Sequence, residues 1–128
     1  LCYQLKGTDY LNLITDSVPS SGLADGEYFL GSVPISIKQG VARTQQGGLA
    51  GSTLKLIHAV RDACQWFDID LHQALKMASL TPATMLGISD KCGSIKTGKE
   101  ASFSLINSQF EVQATWVKGK QVYQHIEH

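Results

Sequence analysis

The sequence predicts a mixed α/β chain, and three patterns predict it. The run Tyr10-Leu11-Asn12-Leu13-Ile14-Thr15 reads as a short, mostly buried strand bounded by Asp9 and Pro19. Apolar residues then recur at helical spacing between Leu54 and Gly87. The tail returns to a period of two, with Phe110, Val112, Ala114 and Trp116 on one side, as in a strand covered on one face. A chain of 128 residues has the length of one domain.

The elements follow in order. Leu1 to Leu5 is the end of a helix stopped by Gly7. The apolar residues of Tyr10–Thr15 point to both faces, as in a strand inside a parallel sheet. Val18-Pro19-Ser20-Ser21-Gly22 is a loop by composition. Glu27 to Leu30 and Val33 to Ile37 form a hairpin turning at Gly31-Ser32, and Pro34 places its strand at an edge. A further strand surrounds Val41-Ala42-Arg43, and Gly47-Gly48 breaks the chain. Ser52 offers an N-cap for a helix with Leu54, Ile57, Val60 and Cys64 inward and Lys55, His58, Asp62 and Gln65 outward. Asp70 and Gln73 have the spacing of a capping box, ahead of an inner face of Leu71, Ala74, Leu75 and Ala78. Thr81, Pro82 and Gly87 mark the start and stop of a third helix. Strands are expected at Ile95, Ala101 to Ile106, Phe110 to Val117 and Gln121 to Tyr123.

Composition removes several classes of function. Eleven basic and eleven acidic residues cancel, so electrostatics gives no reason to expect nucleic acid or an anionic membrane as partner. No apolar run approaches the roughly 20 residues that cross a bilayer, and no signal sequence opens the chain. The first residue is Leu rather than Met, which fits a processed or truncated start. Cys2, Cys64 and Cys92 are odd in number and far apart, as expected of reduced cytoplasmic thiols acting as small buried hydrophobes.

Few residues stand out for chemistry. His58 and His72 fall on outward helical faces, and His125 and His128 lie in a tail expected to fray. None has metal-ligand spacing to a carboxylate or cysteine. Gly47, Gly48 and Gly51 lead toward a helix start, where backbone N–H groups can hold an anion, although an ordinary loop entering a helix is the better explanation. Asp16 sits where the first strand ends. An acid there fits either a catalytic carboxylate at a barrel strand's carboxyl end or a turn cap for Ser17 to Gly22, and pattern alone favours the cap.

A resemblance reverses that preference. Leu13-Ile14-Thr15-Asp16-Ser17-Val18, Asp25-Gly26-Glu27-Tyr28, Gly40-Val41-Ala42 and Leu49-Ala50-Gly51-Ser52-Thr53-Leu54 resemble N-acetylglucosamine-6-phosphate deacetylases in order and spacing. So do Ala74 to Ala83, Leu86-Gly87, Gly93-Ser94-Ile95, Gly98-Lys99 and Thr115 to Lys120. The tail motifs recur across the amidohydrolase superfamily. The first and fourth segments, with Leu49 33 positions after Asp16, point more narrowly to the sugar-phosphate enzymes.

The resemblance implies the last strand and final helices of a metal-dependent-hydrolase (β/α)8 barrel with an inserted hairpin in residues 1–92. It implies part of a small β-sandwich in 93–128. It implies cleavage of the acetamide of N-acetylglucosamine 6-phosphate with a divalent metal, zinc, iron or similar. Asp16 takes the proton from the attacking water and returns it to the amine. Leu49, Ala50 and Gly51 contact the sugar phosphate, mostly through backbone, with Gly51 permitting close approach. The family's metal ligands, a Glu and two His on earlier strands, have no counterpart here, and a whole barrel needs about 250 residues. The chain alone is therefore expected to hold no metal, to be inactive, and to self-associate, exchange elements between copies or belong to a larger protein. Where many superfamily members have Asp, this chain has Ser102, a difference in the sandwich. The alternatives are another amidohydrolase, of D-aminoacylase or dihydroorotase type, and a non-catalytic oligomerising module.

Overall fold

A computed structural model describes residues 1–126. Its elements are α1 (Cys2–Lys6), β1 (Gly26–Leu30), β2 (Val33–Lys38), β3 (Val41–Thr44), β4 (Leu49–Ser52), α2 (Leu56–Phe67), α3 (Leu71–Ala78), α4 (Leu80–Met85), β5 (Phe103–Ile106), β6 (Val112–Val117) and β7 (Lys120–Gln124). They fall into two compact units: Ile14–Ala59, and Leu1–Leu13 with the chain from Val60 onward.

The Ile14–Ala59 unit holds an antiparallel sheet in the order β1-β2-β3-β4. Its first hairpin turns at Gly31-Ser32, with Leu30 opposite Val33 as the sequence predicts. The second turns on Gln39 and Gly40, both at positive φ, which matches the right-handed strand twist across a two-residue loop. Alternation along β2 sends Ile35 and Ile37 inward, where they bury with Ala42 and Val18 and pack against Tyr28 and Ala50. Each buried isoleucine contributes about 1.5–3 kcal/mol of transfer free energy. β2 is an interior strand, so Pro34 is not on an edge strand. It faces Phe29 of β1 at the end of β2, one residue before pairing with β3 begins, where its missing N–H breaks no ladder bond to β3.

Two expectations in this stretch are corrected. Tyr10–Thr15 is extended but forms no sheet strand. Its Leu13 N–H donates to the Met77 carbonyl at 3.0 Å, and a single parallel bridge joins Ser17 to Ser52. Tyr10 is 80% exposed and Ile14 73%. An apolar run becomes a buried strand only when neighbours pair with both edges, which no local pattern guarantees. Ser52 closes β4 instead of capping a helix. Its Oγ accepts the Leu54 N–H at 3.0 Å, and α2 begins at Leu56.

In the other unit, α1 ends at Gly7, and the Tyr3 ring stacks on Phe67 with centroids 4.6 Å apart. The capping box of α3 forms as predicted. Asp70 Oδ1 accepts the Gln73 N–H at 2.8 Å, and Gln73 Oε1 accepts the Asp70 N–H. The buried face of α3 is Ala74 and Met77, turned from the predicted one, with Leu71 exposed. Helix α4 starts two residues earlier than predicted. Thr81 is not its cap: its hydroxyl donates to the Thr8 carbonyl at 2.7 Å, and Pro82 falls at the third helical position. Beyond its end, Gly87 donates to Thr84 and Ile88 to Ala83, the paired bonds of a Schellman stop.

β5, β6 and β7 form an antiparallel sheet in that order. Ala114 is its buried centre, with Val112 and Trp116 half-buried on the predicted face and Phe103 stacked on Trp116 at 5.0 Å. Phe110 stands outside the strand, in a turn tied by Asn107 Oδ1, which accepts the N–H groups of Gln109 and Glu111. Ile95 is in no strand and is 88% exposed. The backbone at His125 is tied down, its N–H donating to Gln113 at 2.7 Å, while His128 lies outside the described residues. Among the described residues no helix is long and apolar enough to cross a membrane.

Asp70→Ala removes one half of the capping box and is expected to cost about 1 kcal/mol. Denaturant unfolding of variant and parent chains measures it.

Candidate active site

Within the Ile14–Ala59 unit, the extended backbone after Ile14 lies against the end of β4. The Ser52 N–H donates to the Asp16 carbonyl at 2.8 Å, and the Val18 N–H donates to the Ser52 carbonyl at 2.9 Å. The Ser52 hydroxyl donates to the Thr15 carbonyl. One residue of β4 thus ties down three of the four residues from Thr15 to Val18, in parallel register. The tie brings Asp16 against Gly51, two residues that the sequence separates by 35 positions.

Gly51 makes that approach possible. A Cβ there would stand 2.8 Å from the Asp16 carbonyl oxygen, 3.0 Å from Val18 Cγ1 and 3.8 Å from Asp16 Oδ2. Its φ of 113° is a second reason for glycine. The missing side chain therefore first serves the packing of Asp16, a role the sequence did not reveal. Ala50 points into the unit's core, and Leu49 is 72% exposed. Asp16 itself is exposed and takes a left-handed φ of 49°. That conformation costs most residues about 1 kcal/mol or more and is tolerated best by Asn, Asp and Gly.

The turn-cap alternative for Asp16 does not form. The loop N–H groups of Ser21 and Leu23 donate to the carbonyls of Val18 and Ser20, and among the described residues no hydrogen bond reaches the Asp16 carboxylate. The anion-binding alternative for the glycines is also corrected. Gly47 and Gly48 turn the chain between β3 and β4, with Thr44 bonded to both, and Gly51 lies in β4 rather than at a helix start.

Other reactive groups are dispersed. His58 is half-buried rather than outward, and His72 is exposed. Of the thiols, Cys2 is exposed and Cys64 and Cys92 are half-buried, so the expectation of three buried hydrophobes fails for Cys2, at the start of α1. Burial, then the negative charge of Asp70, pushes the Cys64 thiol up from its ordinary value. Among the described residues no three His, Cys, Asp or Glu side chains converge as a metal-holding group. The donor set that the resemblance requires for a divalent cation is thus not assembled from them.

The amidohydrolase family model matches residues 11–122, and the chain belongs to that family. More particularly, it is 45% identical over 113 residues to the N-acetylglucosamine-6-phosphate deacetylase of Vibrio furnissii, covering 88% of this chain and 28% of that protein. It is 43% identical over 108 residues to the N-acetylgalactosamine-6-phosphate deacetylase of Escherichia coli O157:H7, covering 84% of this chain and 29% of that one. The crystal structure of N-acetylglucosamine-6-phosphate deacetylase from Pasteurella multocida matches with a TM-score of 0.87 at 28% identity, over 94% of this chain and 31% of that one. The chain spans less than a third of the length of these three relatives.

Two outcomes follow from this geometry. Gly51→Ala forces a Cβ onto the Asp16 carbonyl and is expected to cost about 1–3 kcal/mol, read as a lowered unfolding midpoint. The raised Cys64 value gives stability that is present below the ordinary thiol range and lost as pH rises through the folded value. Iodoacetamide labelling near pH 8, followed by mass spectrometry, is accordingly expected to modify Cys2 well before Cys64.

Proposed function

We propose that this chain is the C-terminal part of an N-acetylglucosamine-6-phosphate deacetylase and carries its proton-transferring aspartate. The observation that supports this most is the placement of an exposed carboxylate, Asp16, which takes no hydrogen bond among the described residues, against Gly51 of the Leu49-Ala50-Gly51 segment. These are the residues through which the resemblance assigns proton transfer and sugar contact.

In this reading the Asp16 carboxylate accepts a proton from the water that attacks the acetamide carbonyl. It later delivers that proton to the leaving amine, so acetate and glucosamine 6-phosphate separate. A carboxylate suits both halves, being a base before the C–N bond breaks and an acid as it breaks. Leu49, Ala50 and Gly51 present backbone groups to the sugar phosphate, and Gly51 keeps that wall free of a side chain. The divalent metal that the resemblance implies, zinc, iron or similar, belongs to the whole enzyme, held by donors beyond the described residues.

Residues 1–92 then represent the closing strand, hairpin insertion and last helices of a (β/α)8 barrel, and 93–128 strands of an adjoining β-sandwich. The exposed apolar side chains of Tyr10 and Ile14 support this, because a barrel strand without neighbours leaves such surface uncovered. The same surface favours burial in a larger protein, a homo-oligomer or an element-swapped assembly. A cytoplasmic setting suits three free thiols.

The test is acetate release by the whole protein containing these residues, with both the N-acetylglucosamine and N-acetylgalactosamine 6-phosphates as substrates. Asp16→Asn is expected to lower kcat by about two to four orders of magnitude with folding intact. The 128 residues alone are expected to release none. Wild-type turnover by the Asn variant would sink the assignment. Preference for the galactosamine epimer would move it to the second substrate.

A further inference from the structure

Among the described residues no hydrogen bond reaches the Asp16 carboxylate, so what the fold fixes is the backbone from which it extends. That backbone is in the left-handed region and is exposed to solvent at the side chain. Three of the groups that hold it come from Ser52: its N–H on the Asp16 carbonyl, its carbonyl on the Val18 N–H, and its hydroxyl on the Thr15 carbonyl. The first two are backbone groups that any residue supplies. The third belongs to the side chain and is the hydrogen bond that fixes the peptide entering Asp16. The same oxygen accepts the Leu54 N–H at 3.0 Å, so its donor is committed to Thr15 and its acceptor to the chain leaving β4. An alanine would keep the ladder and leave a partly buried Thr15 carbonyl without its partner.

We propose that Ser52 is a positioning residue for Asp16, its hydroxyl fixing the Thr15–Asp16 peptide and so the place beside Gly51 from which the carboxylate extends. This rests on the proton-transfer role proposed above. Ser52 touches no reacting atom. It acts through the placement of another side chain, where a displacement of about 1 Å is enough to cost on the order of a hundredfold in rate.

The experiment is a double-mutant cycle in the whole protein, with acetate release from N-acetylglucosamine 6-phosphate as the readout. Ser52→Ala is expected to lower kcat about ten- to a hundredfold while KM moves less than about twofold. In an Asp16→Asn background the same substitution is expected to have no further effect, because the group it positions is already gone. Ser52→Thr, which keeps the hydroxyl, is expected to stay within about threefold of the parent, and it carries the test if the alanine variant does not fold. Positioning is overturned if Ser52→Ala folds and turns over at the parent rate, if its loss is undiminished in the Asn background, or if Ser52→Thr loses as much as Ser52→Ala. Each of those results leaves the Asp16 assignment standing. If Asp16→Asn is itself fully active, the role of Asp16 fails, and the positioning role fails with it.

Discussion

Parallel pairing between Thr15–Val18 and Ser52 organises the candidate site of this chain. It is short: two ladder hydrogen bonds and one from a hydroxyl. Yet it holds together two segments that sequence keeps far apart, and it sets the conformation at Asp16. Its strength is modest by the usual measure of about 1 kcal/mol per hydrogen bond. Its consequence is geometric, because it fixes the backbone from which the Asp16 side chain extends.

The packing around this contact shows why small residues line it. Gly51 has no room for a Cβ beside the Asp16 carbonyl, Ala50 turns into the unit's core, and Val18 closes over the same core with Ile35, Ile37 and Ala42. The core of this unit is small, and the residues at the site are part of it. The geometry of the candidate site and the stability of the unit therefore draw on the same few contacts. A substitution at Gly51 or Val18 is felt first as a folding change.

How much of this was legible in sequence depended on the range of the interaction. The Asp70–Gln73 box, the Gly31-Ser32 turn and the Gly87 stop form as predicted, because each is completed by residues within a few positions of one another. Asp16 and Leu49–Gly51 stood out through family resemblance, which carries long-range information that periodicity does not. The burial and pairing expected of Tyr10–Thr15, the helix cap at Ser52 and the edge position of Pro34 differ from the structure for one shared reason. Each depends on which strand lies alongside, and apolar content alone cannot name the neighbour.

Local chemistry, then, dictated the mixed α/β character, the capping box that starts α3, the glycine stop after α4, the neutral charge balance and the spacing that marks the family. Spatial pairing dictated the rest. Leu49–Ser52 became a strand, Gly51 became the floor beneath Asp16, and the Ser52 hydroxyl turned from a helix cap into an anchor for Thr15. The physical reason is that caps and turns close hydrogen bonds within one stretch of backbone. A sheet contact is defined only when two distant stretches meet, and the freedom it removes is distributed over the whole loop between them.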